Sequence, residues 1–502
     1  MKNNVHMLLV AASALAFASA AQAQDTPAAD TPVETVEEQP ASAADMEFLK
    51  AQVEALQAQV QQLTARAAKA EPSWKGAPQW VDTAGWSFKP KGVLQFDAGY
   101  VSLPRKIAGT VGVAGTSAGS GVNTNNLGWN TRARRLIVGA EGSMPGGFGY
   151  KFELELSQGG VNYEDMVISY QKPGSPWSIT IGHQYPLSSL ELLTSNRFTT
   201  FMERAGMTDA LGYGRRLGST IAYTDPAGRF GLAGGIYSED VANANVARTG
   251  WQASVRGYYS PMIGQVQGHL GFQFQHRVAP TDAQNIRYRQ RPYTQVSGER
   301  FIDTGAIAAK GDDILGGELA AIYKSFHFAS EYQHVWVRSI KPGSVFGINN
   351  AAGTTNFSID DPQFRSGYVE VGYYLTGETR GYKGGKWDRT KVLHPVTEGG
   401  MGAFQINARA DFTDLNDRVG GPATVLTGNG ITYINGGVSK GYEASLIWLP
   451  MDYVKFMLQY AHSDISGGPS ARAFSGFTTA APAGFQHKYG VDAVTLRSQL
   501  DF

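Results

Sequence analysis

The 502-residue chain contains no cysteine, which excludes a disulfide framework, a thiol nucleophile and a thiolate metal site. Beyond its first two dozen positions it also lacks any apolar run of about 18 residues, so no membrane-spanning helix is expected. Catalytic words are missing too. There is no H-E-x-x-H, no G-x-S-x-G and no Walker-type phosphate loop, and the chain reads as a non-enzyme. The nine histidines are scattered, and His269 and His276 read as polar residues on strand faces. Nothing in the sequence calls for a cofactor, a metal or a nucleic-acid partner.

What is present is glycine and aromatic residues: 61 Gly, 24 Phe, 23 Tyr and 9 Trp. Lysine plus arginine equal aspartate plus glutamate at 43 each, but the spread is uneven. Residues 1–84 hold ten acids and five bases, leaving 33 acids and 38 bases in 85–502, a net of +5. That excess mildly favours anions in a pore.

The start has the pattern of a secretory signal over residues 1–23. Lys2 supplies the charge, Met7 to Ala20 the apolar stretch and Ala21-Gln22-Ala23 a small-x-small cleavage site. Residues 24–44, rich in Pro, Ala, Thr and acids, read as a disordered linker. Met46, Leu49, Val53, Leu56, Val60 and Leu63 then repeat every three or four positions, the seam of a coiled coil within 45–70. Three heptads are marginal for an isolated helix, so this one needs tethered partners. Val at a with Leu at d leans toward dimers, though so short a coil follows the oligomer of the main domain. Residues 71–85 form a Trp- and Pro-bearing connector.

From residue 86 the apolar period becomes two, the signature of strands. In the last twelve residues Val494, Leu496, Ser498, Leu500 and Phe502 share one face, and Thr495, Arg497, Gln499 and Asp501 the other. Phe404, Ile406 and Phe412 likewise alternate with Gln405, Arg409 and Asp411. Strands with one apolar and one charged face suit lipid outside and water inside. Sixteen such segments are predicted: 86–102, 132–142, 149–157, 163–171, 177–185, 216–224, 229–237, 250–260, 264–277, 314–324, 326–336, 366–378, 402–413, 439–449, 453–463 and 491–502. Long and short connections alternate, as in bacterial outer-membrane barrels. Residues 379–401 break the rule, being long where a short turn is due; either a strand pair is missing or that segment has a job. The expected fold is therefore all-β, a 16-stranded antiparallel transmembrane barrel over 86–502, wide enough for an aqueous channel.

In a channel, selectivity comes from bore, charge and hydrogen-bond donors at a constriction. Arginine suits oxyanions because its planar fork can bind two oxygens at once. Segment 186–215 carries Arg197, Arg204 and Arg215, followed by Arg216. Segment 278–313 carries Arg287, Arg289 and Arg291, which share a side if extended, with Arg300 nearby. The long turn adds Arg380, Lys383, Lys386, Arg389 and Lys391. The alternative for each is a solvated loop face or contact with lipopolysaccharide phosphates. Strand-face acids, among them Glu318, Glu331, Glu370, Asp411 and Glu443, roughly match strand-face bases such as Arg256, Lys324, Arg409 and Arg497. The lumen therefore reads as mixed in charge.

Several words have a familiar form. Arg132-Ala-Arg-Arg-Leu-Ile-Val-Gly139, Gly149-Tyr-Lys-Phe-Glu-Leu-Glu155 and Leu190-Glu-Leu-Leu-Thr-Ser-Asn-Arg197 resemble the phosphate-selective porin O and P family. Thr200-Phe-Met-Glu-Arg204, Gly214-Arg-Arg-Leu-Gly218, Tyr374-Leu-Thr-Gly-Glu378 and Trp448-Leu-Pro-Met-Asp-Tyr-Val-Lys-Phe456 continue the resemblance in order. It implies a sixteen-stranded homotrimeric porin of the bacterial outer membrane, with the third loop folded into the channel. Arg197, Arg204, Arg215 and Arg216 sit inside or beside matching words and carry over as pore residues. The run 287–300 has no matching word, so its role rests on its charge alone. The expected function is passive diffusion of phosphate or other small anions, with membrane lipid and lipopolysaccharide as surroundings. A general or organic-acid porin remains open, as does an envelope tether acting through the coiled coil.

Overall fold

A computed structural model describes residues 47, 50–61, 73–74, 76–102, 127–157, 159–238, 250–280, 284–340, 355–358, 360–419, 430–431, 434–468 and 487–502. The expected signal and linker lie outside these residues, as do Met46, Leu49 and Leu63 of the seam. The chain divides into two units, Met1–Lys69 and Ala70–Phe502. In the first, residues 50–61 are α-helical, with Val53, Leu56 and Val60 all exposed.

The second unit is a closed barrel. Among the described residues its wall is made of β1 (Ser87–Ser102), β2 (Gly128–Met144), β3 (Phe148–Glu155), β4 (Asn162–Tyr170), β5 (Trp177–Gln184), β6 (Arg216–Thr224), β7 (Phe230–Ser238) and β8 (Trp251–Tyr259). It continues through β9 (Val266–Val278), β10 (Ala306–Tyr323), β11 (Phe326–Ser339), β12 (Gln363–Tyr374), β13 (Ala403–Asp417), β14 (Ile434–Met451), β15 (Val454–Ser466) and β16 (Lys488–Asp501). Each strand pairs antiparallel with the next. The ring closes as β16 pairs with β1 from Asp492↔Ser102 to Asp501↔Val93. Closure removes the sheet edges whose unpaired N–H and C=O groups hydrocarbon cannot satisfy.

Alternation decides which face meets which medium. On β16, Val494, Leu496 and Leu500 are exposed while Thr495, Arg497, Gln499 and Asp501 point inward and are buried. On β13, Ile406 faces out and Gln405, Asn407, Arg409 and Asp411 face in. Aromatic side chains gather on the outer face near the short turns, where Phe148 meets Tyr170 at 4.8 Å and Trp177 meets Tyr223 at 5.1 Å between ring centroids. Such girdles sit at the level of lipid headgroups.

The register shifts at five places among the described pairings, and two of these irregularities bear on the lumen. Between β1 and β2, Gln95 pairs with Arg135 and Phe96 with Ala133, so Arg134 is the extra residue. Between β3 and β4, Phe152 pairs with Met166 and Leu154 with Tyr163, so Glu164 and Asp165 oppose Glu153. A bulge turns two successive side chains toward one face. Arg134 with Arg135, and Glu164 with Asp165, thereby enter the lumen as adjacent pairs.

The lumen is not empty. Loop three (residues 185–215), the described part of loop five (284–305) and the long turn 375–402 all fold inward. The turn is a hairpin, Gly381–Lys383 against Lys386–Asp388, reversed by Gly384 and Gly385 at φ 58° and 72°. Positive φ at both central residues is what a two-residue turn of this hand requires, and glycine adopts it without strain. The segment that broke the alternation of connection lengths is thus a lumenal hairpin rather than two wall strands. Lys324 also departs from expectation: it lies between β10 and β11 at φ 51°, in a turn rather than on the lumen wall.

Phe502 seals the seam between β16 and β1 by exchanging backbone hydrogen bonds with Gly92 at 3.1 Å each. A Cβ on Gly92 would collide with the Phe502 ring. Gly92→Val is therefore expected to destabilise the closed barrel by about 1–3 kcal/mol, the usual scale of overpacking. The check is heat-modifiability on gels: the compact band should vanish at a lower temperature than in the parent protein.

Candidate functional site

Loop three makes the site because one residue fixes it to the wall. Its short helix Leu190–Leu193 is capped by Ser189, whose hydroxyl accepts from Leu192 N at 3.2 Å. Inside that helix, the Glu191 carboxylate accepts from Ala205 N at 2.8 Å, from the Thr208 hydroxyl at 2.7 Å and from Arg409 at 3.0 Å. Its own N–H donates to Glu331 at 2.8 Å and its carbonyl accepts from Arg204 Nε at 3.1 Å. Burial pushes the Glu191 carboxyl up, against the opposing pull of Arg409. Further along, Gly206 N donates to Asp411, the Thr200 hydroxyl to Glu370 and Met202 N to Gln459. The strand-face acids Glu331, Glu370, Asp411 and Glu443 are all buried, and the first three anchor the loop.

Loop five crosses to the other wall. Asn130 donates to Val296 O at 2.6 Å and Arg132 to Gln295 O at 3.0 Å. The Tyr293 hydroxyl donates to Asp411, and its carbonyl accepts from Gln459 at 3.2 Å. From the opposite end the hairpin meets loop three: Trp387 N donates to the Thr194 hydroxyl at 3.2 Å and Arg380 to Phe198 O at 3.2 Å. Trp387 packs with Leu190, Ala205 and Met207.

Two chambers are left along the β2–β6 wall. The outer one, about 280 Å³, is lined by Arg134, Arg135, Glu203, Asp209, Arg291 and Tyr293 among others. The inner one, about 420 Å³, is lined by Lys151, Glu153, Glu164, Asp165, Arg197, Arg215, Lys383, Lys386 and Asp388 among others. Tyr185, Leu192 and Arg204 border both and so form the neck between them. Counting lining side chains, the outer chamber has four cations and two carboxylates. The inner chamber has six cations and four carboxylates. The lining is mixed in charge, as expected of the lumen, with a local excess of cations because the folded loop covers Glu331, Glu370 and Asp411.

Most of the cations are paired. Arg134 grips Glu203 with two bonds of 2.7 and 2.8 Å. Burial pushes the Glu203 carboxyl up, but Arg134 and Arg497 outweigh it and hold the group below the usual carboxylate range. Arg215 meets Asp165 at 2.5 Å and also Glu164, and it lies 4.0 Å from the Tyr185 ring centroid. Arg197 binds Glu153 at 2.8 Å. Arg204 is held differently, by backbone carbonyls of Glu191 and Thr194 at 3.1 and 2.8 Å. No carboxylate among the described residues lies within ion-pair distance of it.

Of the eight arginines expected at the pore, Arg197, Arg204 and Arg215 line the inner chamber, and Arg291 the outer. Arg216 lies 5.7 Å from the Tyr213 ring centroid and lines neither. Arg287 pairs with Asp303, Arg300 bonds Asp209 at 2.8 Å, and Arg289 sits in a two-residue ladder opposite Asp303. These three also line neither chamber. Sequence reasoning missed Arg134 and Glu164, which a strict period of two assigns outward, and missed Glu191. The long turn's irregular length was a usable signal for Lys383 and Lys386.

A closed sixteen-stranded barrel with lipid-facing girdles and a charged, constricted lumen defines an outer-membrane channel of the porin class. The sequence profile of phosphate-selective porin O and P matches residues 111–489, and the chain belongs to that family. An uncharacterized protein of Caulobacter vibrioides (strain ATCC 19089 / CIP 103742 / CB 15) is 34% identical over 447 residues, covering 87% of this chain and 78% of its own. Among solved structures, the outer membrane channel DcaP of Acinetobacter baumannii aligns at TM-score 0.44 and 12% identity, over 84% of this chain and 99% of its own. The anion-selective porin from Comamonas acidovorans aligns at 0.43 and 13%, over 83% and 100%.

Glu191→Ala removes the acceptor for Ala205 N and one of the partners of Arg409, which keeps Glu443 at 2.7 Å. Leaving the Ala205 donor buried and unsatisfied costs about 1–3 kcal/mol. Loop three should then loosen, and single-channel recordings should show larger, noisier openings than the parent channel.

Proposed function

We propose that this porin passes small anions in preference to cations, phosphate among them, and that Arg204 sets the preference at the neck. The observation that carries the reading is the position of Arg204. It is a cation that borders both cation-rich chambers, oriented by carbonyl acceptors and with no carboxylate among the described residues within ion-pair distance. In a narrow, partly dehydrated passage such a charge attracts an oxyanion by Coulomb force and offers a directional fork. Arg197, Arg215 and Arg291 extend the path on either side, their fields reduced by bonded acids. Arg216, Arg287, Arg289 and Arg300 act as braces for the loops.

Removing the neck charge at an effective dielectric between protein and water changes the ion's energy by on the order of 1 kcal/mol, or roughly fivefold in preference. Arg204→Ala is accordingly expected to lower the chloride-to-potassium permeability ratio by that factor in planar bilayers. Arg287→Ala, whose charge is bound to Asp303, should leave the ratio at the parent value. Equal ratios for Arg204→Ala and the parent would sink the neck assignment.

We further propose a homotrimer in the outer membrane, with lipopolysaccharide around its outer rim and residues 45–70 as a periplasmic coiled coil. The exposed Val53, Leu56 and Val60 support this, since an apolar seam is stable only when partnered. Residues 1–23 would be the export signal. Native mass measurement in mild detergent should give three chains; a monomer at every protein concentration contradicts the assembly.

A further inference from the structure

The chambers have an excess of cations, but the inner one also has apolar lining. Leu192 borders both chambers, as Arg204 does, and Leu193, Phe198 and Trp387 line the inner one. A small inorganic anion gains nothing from that apolar lining. Apolar walls strip water from an ion without offering replacement donors, which opposes permeation of a bare oxyanion. The volume of about 420 Å³ falls in the range of roughly 300–1,000 Å³ that seats small organic ligands. Charge sets where a headgroup can lie. Arg197, Arg215 and Lys151 already hold carboxylates, which leaves Arg204 at the neck, with Lys383 and Lys386 at the hairpin, to meet an anionic headgroup.

We propose that the inner chamber favours monoanionic organic acids, carboxylates or sulfonates bearing an aromatic or branched apolar body, over equally charged small anions. The headgroup lies at Arg204 and the body lies against Leu192, Leu193 and Phe198. The proposal rests on the anion-biased pore described above and specifies its substrate class. Affinity stays modest because Glu153, Glu164 and Asp165 already engage Lys151, Arg197 and Arg215, which suits a site that must also release its occupant.

The test uses the full chain in planar bilayers, with chloride as the current carrier. Methanesulfonate and benzenesulfonate are both fully ionised monoanions at neutral pH and differ only in the body. Benzenesulfonate should half-block the chloride current at a concentration at least about tenfold lower, the scale of discrimination that a few apolar atoms give in an apolar pocket. Leu192→Ser and, independently, Leu193→Ser should shrink that difference. A parent channel blocked equally by the two sulfonates overturns the inference whether or not either variant folds. The anion reading has a separate readout: a channel that prefers potassium to chloride fails it, whereas a chloride-preferring channel with equal block fails the organic-acid proposal alone. Stronger block by phosphate than by benzenesulfonate also overturns it.

Discussion

The buried carboxylate of Glu191 holds the pore in shape. A charge removed from water is tolerable only when donors surround it. Glu191 collects three, from Ala205, Thr208 and Arg409. Two of those donors come from the second half of loop three and one from β13, so satisfying a side chain in the loop's first half closes the loop on itself and pins it to the wall. The same residue's carbonyl orients Arg204. The side chain of Glu191 anchors the loop and its carbonyl holds Arg204, so loosening the first misplaces the second.

That anchoring also resolves the lumen's charge. A barrel of sixteen strands is too wide for its own side chains to fill, and strand faces here carry acids and bases in similar number. Loop three lies over the sector of β11–β14 that is rich in acid. Its backbone N–H groups and hydroxyls donate to Glu331, Glu370 and Asp411, which takes those acids out of the path. The uncovered sector, β2–β6, presents Arg134, Arg135 and Lys151 to the chambers together with Glu153, Glu164 and Asp165, and loop three adds Arg197, Arg204 and Arg215. A near-neutral barrel thereby gains a local excess of cations by selective covering rather than by composition.

The wall was legible in the sequence because lipid and water impose a strict alternation, and the sixteen expected segments fall on the sixteen strands. Where the period fails, so does the reading. Arg134 and Glu164 point inward because a bulge adds a residue to β2 and to β4, and a bulge leaves no mark in a pattern of apolar and polar letters. Loop positions were legible only as charge. The run from Arg287 to Arg300 has the composition of a filter. In the fold Asp303 and Asp209 engage Arg287 and Arg300, partners that no spacing rule could supply. The turn 379–401 announced itself by length, but its direction depended on Trp387 finding an apolar seat beneath loop three.

Pairing most of the pore arginines has a kinetic consequence. A conducting site must attract its ion and then let it go. Six unopposed cations around the inner chamber would hold an oxyanion too long, since each fork adds a charge-assisted bond. Glu153, Glu164 and Asp165 occupy those forks in advance, so a permeant must compete for donors and the residence time falls. Arg204 escapes this competition because its acceptors are carbonyls, which satisfy its hydrogen bonds without cancelling its charge. The pore arginines thus fall into two kinds: carboxylates both bond and neutralise the paired ones, whereas carbonyls bond Arg204 and leave its charge.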